Sequence, residues 1–388
     1  MHGNIRTQSV TTRESPEAIA KHAIAVLEKR LWDKHGQYLR YGCELEWSFL
    51  PKPGRRTTLC RPILMDIKDK VHDDLTEDQI FVPAKRRVHK KQVRYLPAHE
   101  NDWVVGVREP LFPDSPYVSY SYQEDARKHE TIISHEGTHD RLSAGRRGLT
   151  FARAIEALQH TLTTTETRRP PLSKDEWMEA TLRNLESDWR IIMPAKSSKA
   201  QGNVTHGMHI NISVHSKSNS TTPDEEPWQR HYTDGLAKAY NEGLWLLNGS
   251  KSALRRTQER EEHSHQIYDG IHVRAGDYTE IKLPPADGNP YYATLLALVG
   301  ILHAHAIEQS EAGGKYFAIP RLDRNTYQED TFKLGPRNIQ KRFMHGERVI
   351  INTLNESEPG LGDRFARALT HTPPGHEHSP AHALSRAR

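Results

Sequence analysis

The segment Tyr41-Gly42-Cys43-Glu44-Leu45-Glu46-Trp47-Ser48-Phe49-Leu50 limits what this chain can fold into more than any other stretch. Its aromatic and apolar content marks a strand. Side chains alternate across a strand, so Glu44 and Glu46 share one face while Cys43, Leu45 and Trp47 share the other. The second face is suited to a core. The first sets two like charges side by side, and these repel unless a cation or a base lies between them. Alone, the pattern also fits a surface strand with two solvated acids, so its meaning depends on what else the chain brings to that face.

Two later stretches bear on that question. In Gly207-Met208-His209-Ile210-Asn211-Ile212-Ser213 the polar residues His209, Asn211 and Ser213 line one strand face, with Met208, Ile210 and Ile212 behind them. Histidine is a common metal ligand, and its polar neighbours are suited to a nucleotide or to supporting the ligand. In Tyr278-Thr279-Glu280-Ile281-Lys282-Leu283-Pro284-Pro285, Glu280 and Lys282 again share a face. A Pro/Gly turn then leads through Asn289-Pro290-Tyr291 into an apolar helix expected to reach Ile301.

Around these stretches the chain alternates helical and extended patterns. A first helix is expected with Ser15 as its cap, Pro16 in its first turn, an apolar stripe of Ile19, Ala23, Ile24, Leu27 and Leu31, and Gly36 as its stop. Further helices are expected near Phe151–Leu162, Asp175–Leu185 and Trp228–Leu247. Trp103–Val107 is the clearest strand between residues 51 and 125. A tail rich in Pro, Gly, His and Ser is expected to be disordered.

At 388 residues the chain has room for one large domain or two ordinary ones. No apolar run is long enough to span a bilayer, so no membrane partner is expected. Cys43 and Cys60 are the only cysteines, which argues against a disulfide scaffold and fits a reducing, cytoplasmic setting. The net charge of +4 does not point to nucleic acid. The basic run Lys85, Arg86, Arg87, His89, Lys90, Lys91 and Arg94 suits a solvated surface loop better than a phosphate-binding patch.

Taken together and in chain order, these motifs resemble the catalytic domain of the glutamine synthetase superfamily. Gly42-x-Glu44-x-Glu46 is similar to its first metal-binding strand. Gly207-Met208-His209-x-Asn211-x-Ser213 is similar to its GMHxHxS strand, with Asn211 where a second histidine is usual. Glu280-x-Lys282-x-Pro284 followed by Asn289-Pro290-Tyr291 is similar to its ExRxPDxxxNPYL segment. Lys128-His129-Glu130-Thr131-Ile132 is similar to its HHEVA strand, with Glu136 as companion acid. Asn248-Gly249-Ser250 with Arg255 and Arg256 is similar to the segment that supplies a substrate-binding arginine.

The resemblance implies an α+β fold with a curved, mostly antiparallel β-sheet and helices packed on its outer face. It implies domains at 1–40 (a helical extension), 41–370 (the catalytic domain) and 371–388 (the tail), without the N-terminal β-grasp domain usual in the family. It implies an ATP-dependent carboxylate–amine ligase that uses Mg²⁺ or Mn²⁺, passes through an acyl phosphate, and takes small-molecule acid and amine substrates. Glu46, Glu130 and Glu136 are expected to hold one metal, and Glu44, His209 and Glu280 the other. Asn211, Ser213 and Arg274 are expected at ATP, Arg255, Arg256 and Lys282 at the acid substrate, with Arg274 and Lys282 taking part in catalysis. Lys282 stands where the family has arginine and lacks the bidentate fork, so the acid is not fixed as glutamate. A homo-oligomer is left open.

One motif competes. His135-Glu136-Gly137-Thr138-His139 fits HExxH, in which two histidines on a helix bind zinc and the glutamate acts as general base. A zinc hydrolase is therefore a rival expectation, although Thr131-Ile132-Ile133 favours a strand and Gly137 disfavours a helix. Phosphoryl transfer to a guanidino group and a catalytically inactive relative are the remaining alternatives.

Overall fold

A computed structural model of the chain describes residues 14–51, 104–108, 117–125, 128–135, 146–164, 166–167, 189–193, 205–216, 225–248, 253, 256, 270–274, 278–312 and 336–371. The expected helix at Asp175–Leu185, the basic run from Lys85 to Arg94 and the tail beyond His371 lie outside the described residues.

Helix α1 (Pro16–His35) follows its sequence signals closely. The Ser15 hydroxyl accepts from the Ala18 N–H at 3.1 Å, and Pro16 begins the first turn. Gly36 ends the helix in the left-handed region at φ 65°, donating back to the Leu31 and Trp32 carbonyls. Next come β1 (Gln37–Pro51), β2 (Val104–Arg108), β3 (Tyr117–Asp125), β4 (Lys128–His135), α2 (Arg147–Thr164), β5 (Glu166–Thr167), β6 (Trp189–Ile192) and β7 (Met208–Ser216). Then follow α3 (Glu225–Glu242), α4 (Leu244–Leu247), β8 (Ile271–Arg274), β9 (Tyr278–Ile281), α5 (Pro290–Ala312), α6 (Pro336–His345), α7 (Val349–Ser357) and α8 (Leu361–His371).

The strands form an antiparallel sheet in the order β2-β3-β4-β1-β7-β9-β8, with β6 pairing the far end of β1 and β5 pairing β6. This mix of helices and antiparallel sheet agrees with the α+β expectation. β1 is the hub: it pairs β4 through Tyr41–Trp47, β7 through Gln37–Leu45 and β6 through Ser48–Pro51.

Its apolar side chains decide which face is covered. Tyr41, Cys43, Leu45 and Trp47 join Met208, Ile210 and Ile212 of β7 and the inner faces of α1, α2, α3 and α5 in one buried cluster. α3 and α5 cross at small residues. A Cβ on Gly235 would lie 2.2 Å from the Gly300 carbonyl oxygen, so only glycine lets these backbones approach so closely. α5 runs past the expected Ile301 to Ala312, because helix geometry outlasts the continuous apolar run. Its start was legible: Asn289 Oδ1 accepts from the Tyr291 and Tyr292 N–H groups at 2.9 and 3.3 Å, with Pro290 in the first turn.

Two buried carboxyls tie helices together on this covered side. Glu28 of α1 accepts both the Tyr41 hydroxyl (2.8 Å) and the Gly148 N–H (2.7 Å) on Oε1, and its Oε2 has no partner. Burial pushes this carboxyl up to about 7, against the opposing pull of the two hydrogen bonds and of Arg147. Glu242 accepts the Val349 and Ile350 N–H groups at 2.7 and 3.0 Å, capping α7. Burial raises it too, to about 7.

Candidate functional site

The register of three strands brings the acids and the histidine together. Glu44 on β1 lies directly opposite His209 on β7, and Asn211 on β7 lies directly opposite Glu280 on β9. Glu46 and Glu280 are thus diagonal neighbours of His209 on the face turned away from the helices. Residues far apart in sequence meet because β1, β7 and β9 are adjacent.

His209 sits at the centre. Its Nδ1 is 3.3 Å from Glu44 Oε2 and 3.5 Å from Glu280 Oε1, and its Nε2 is 3.7 Å from Glu46 Oε1. Ligand atoms of Glu44, His209 and Glu280 all lie within 4.8 Å of one another. Glu46, His209 and Glu280 are buried, at 5, 7 and 3 % exposure, while Glu44 is partly open. The Asn211 amide donates to Glu44 Oε1 at 3.1 Å, and Lys282 Nζ lies 3.2 Å from Glu280 Oε1.

Burial by itself pushes the Glu44 carboxyl up. The hydrogen bond and charge of His209, the Asn211 amide and the Lys282 ammonium outweigh it and hold Glu44 below the usual carboxylate value. Glu46 pairs with Gly207 through side chain and main chain: its carboxylate accepts the Gly207 N–H, and its own N–H donates to the Gly207 carbonyl at 2.9 Å.

Gly207 has a packing reason to be glycine. A Cβ there would come within 2.7 Å of His209 Nε2 and 2.8 Å of Arg256 Nη2, so imidazole and guanidinium both close over that bare backbone.

The donor set fits a hard divalent cation. Two carboxylates and an imidazole suit Mg²⁺ or Mn²⁺, with remaining positions open to water or phosphate oxygens. Asn211 Oδ1, buried and without a hydrogen-bond partner, is a further acceptor on the same face. Three acids crowd one imidazole and one ammonium here, so added positive charge would relieve repulsion.

The other expected site residues fall in several places. Glu130 of β4 is the register partner of Glu46, so its backbone lies beside the cluster. Arg274 closes β8 opposite Tyr278. Ser213 lies farther along β7 and bonds to His215 Nε2 at 2.8 Å. Glu136 and Arg255 lie outside the described residues. Arg256, 4 % exposed, donates Nη1 to the Leu283 carbonyl and Nη2 to the Lys282 carbonyl, both at 2.8 Å.

The zinc-helix expectation needs correction at its first residue. His135 ends strand β4, opposite Tyr41 and Val118, so it does not start a helix; Glu136 to His139 lie outside the described residues. The β-branched run Thr131-Ile132-Ile133 carries the strand through to it. Gly207 and Arg256 were read from sequence as motif members, but their contacts with the main chain and with each other were not legible there. Gln159 was missed altogether: from α2 it donates to the Ala286 and Gly288 carbonyls at 2.7 and 2.9 Å, behind Lys282.

No protein-family model and no curated protein matches this chain. Among solved structures it is similar to a GmaS/ADP complex in its conformation 1, with TM-score 0.51 and 11 % identity over 96 % of this chain and 75 % of that one. It is also similar to a novel glutamine synthase homolog (TM-score 0.49, 12 % identity, 95 % of this chain and 74 % of that one). An apo GmaS without ligand gives TM-score 0.47 and 12 % identity, over 92 % of this chain and 73 % of that one. The likeness to the GmaS/ADP complex shows a shared fold.

Proposed function

We propose that this chain is an ATP-dependent carboxylate–amine ligase that forms an amide through an acyl phosphate. The observation that carries this reading is the meeting of Glu44, His209 and Glu280 from three separate strands, within 4.8 Å, in a fold shared with a protein solved with ADP. Glu44, His209 and Glu280 would hold Mg²⁺ or Mn²⁺, with Glu46, Glu130 and Glu136 around a second ion. Bound there, the ion would offset the phosphate charge of ATP and polarise its terminal phosphoryl group.

The chain's own groups have distinct tasks in this proposal. A substrate carboxylate oxygen attacks the terminal phosphorus, and the bond to the ADP oxygen breaks. The amine nitrogen then attacks the acyl carbon, inorganic phosphate leaves and the nitrogen loses a proton. Lys282, partly exposed beside Glu280, offers an ammonium to the acid or to the departing phosphate. Asn211 and Arg274 are assigned to ATP, with Ser213 at the far end of that row, and Arg255 to the acid. The curved sheet, residues 41–370 as the catalytic unit and a cytoplasmic setting belong to the same proposal. Among the described residues no helix is long and apolar enough to cross a membrane.

Thermal-shift titrations test it directly. ATP with Mg²⁺ or Mn²⁺ should stabilise the chain, and ADP release should require both an acid and an amine. Stabilisation by Zn²⁺ alone, with chelator-sensitive peptidase activity and no response to ATP, would overturn the proposal.

A further inference from the structure

We propose that Arg256 is a positioning residue: its guanidinium fixes the segment Lys282–Gly288, and through it the places of Lys282 and Glu280, and does not contact substrate. The metal-binding role of the positioned groups rests on the function proposed above; the positioning itself does not.

The sequence of that segment explains why a side chain is needed. Pro284 and Pro285 have no N–H to give, so the strand leaving β9 loses the donors that would continue its ladder. Its carbonyls must then be held by donors from elsewhere. The Met208 N–H takes the Pro284 carbonyl at 2.9 Å, and the Ala286 N–H reaches back to the His206 carbonyl at 3.2 Å. Arg256 takes the carbonyls of Lys282 and Leu283, and Gln159 those of Ala286 and Gly288.

The planar fork of arginine presents two rigidly spaced donors to consecutive carbonyls, here at 2.8 Å each. Burial of a permanent charge is tolerated because both terminal nitrogens make charge-assisted bonds. The guanidinium also packs against the bare backbone of Gly207, beside the ring of His209. With Arg256 only 4 % exposed and both terminal nitrogens on main-chain carbonyls, a substrate carboxylate would reach it only by entering the buried segment that carries Lys282.

The test compares Arg256→Met and Arg256→Lys with the parent chain. Hydrogen exchange at the Met208 and Ala286 amides is followed alongside Mn²⁺ affinity by electron paramagnetic resonance. The expected result is faster exchange at both amides in the Met variant, with α1 amides unchanged and Mn²⁺ binding weakened by about tenfold. The Lys variant keeps the charge and loses the fork, so it should show the same exchange defect; it also carries the test if the Met variant does not fold. Unchanged exchange in both variants overturns the proposal. So does a raised KM for the acid with exchange untouched, which would make Arg256 a substrate contact. If the parent chain binds no Mn²⁺, the metal reading fails, while the exchange result still decides the role of Arg256.

Discussion

Glu44 and Glu28 stand on opposite sides of β1 and respond to burial in opposite ways. Glu28, on the helix-covered side, receives two hydrogen bonds on one oxygen and none on the other, and burial pushes it up to about 7. Glu44, on the other face and partly exposed, is also pushed up by desolvation, but His209, Asn211 and Lys282 hold it below its usual value. Desolvation is the largest single influence on both, so what separates them is how completely each is buried together with the donors and positive charge that oppose it. One carboxyl is placed so that it can stay neutral and join helices; the other is kept ionised and able to bind a cation.

The largest expected effect tests the covered side. A carboxyl raised from 4.5 to about 7 on folding favours the folded state fully below pH 4.5 and loses that contribution as pH rises towards 7. Urea denaturation should therefore show the parent chain losing about 3 kcal/mol from this group between pH 4.5 and 7.5. Glu28→Gln, which keeps the acceptor and stays neutral, should flatten the profile by that amount, and an unaltered slope would put the pH dependence elsewhere. Glu242 works in the same direction and should survive as a residual slope.

On the opposite face, Glu280→Gln removes one of three crowded acids. Its apo form should be no less stable than the parent. The stabilisation given by ATP with Mn²⁺, about 2.7 kcal/mol at a hundredfold excess over Kd, should disappear from thermal melts. A variant that still shifts with ATP and Mn²⁺ would erase the contrast between the two faces.

Gly207→Ala sharpens it further. The added methyl meets His209 and Arg256 at under 3 Å, so about 1–3 kcal/mol of stability should be lost in urea, together with Mn²⁺ binding. The smallest effect is a control on the covered side: Ser15→Ala should cost about 1 kcal/mol by removing the α1 cap, and Mn²⁺ affinity should not change.

Much of this was legible because the signals were local. Ser15-Pro16 and Gly36 bound α1, Asn289-Pro290 starts α5, and the alternation around Glu44 separates a core face from a polar one. Where the reading fell short, the deciding contact lay elsewhere in the chain. His135-Glu136 matched a helical pattern, but the strand that Thr131-Ile132-Ile133 favours pairs with β1 and reaches His135. The motif around Arg256 points to the acid substrate, and no local signal tells that its fork also holds the carbonyls of Lys282 and Leu283.

From sequence alone, this protein's residue types and their periodicity determined which side chains share a face, where helices begin, and that acids, a histidine and a lysine recur on polar strand faces. Tertiary structure alone decided that β1, β7 and β9 are neighbours, that Glu44 opposes His209 and Asn211 opposes Glu280, and that Glu28 is buried. The physical reason is range. Alternation and capping act within a few residues, whereas strand pairing and desolvation depend on segments remote from one another in the chain.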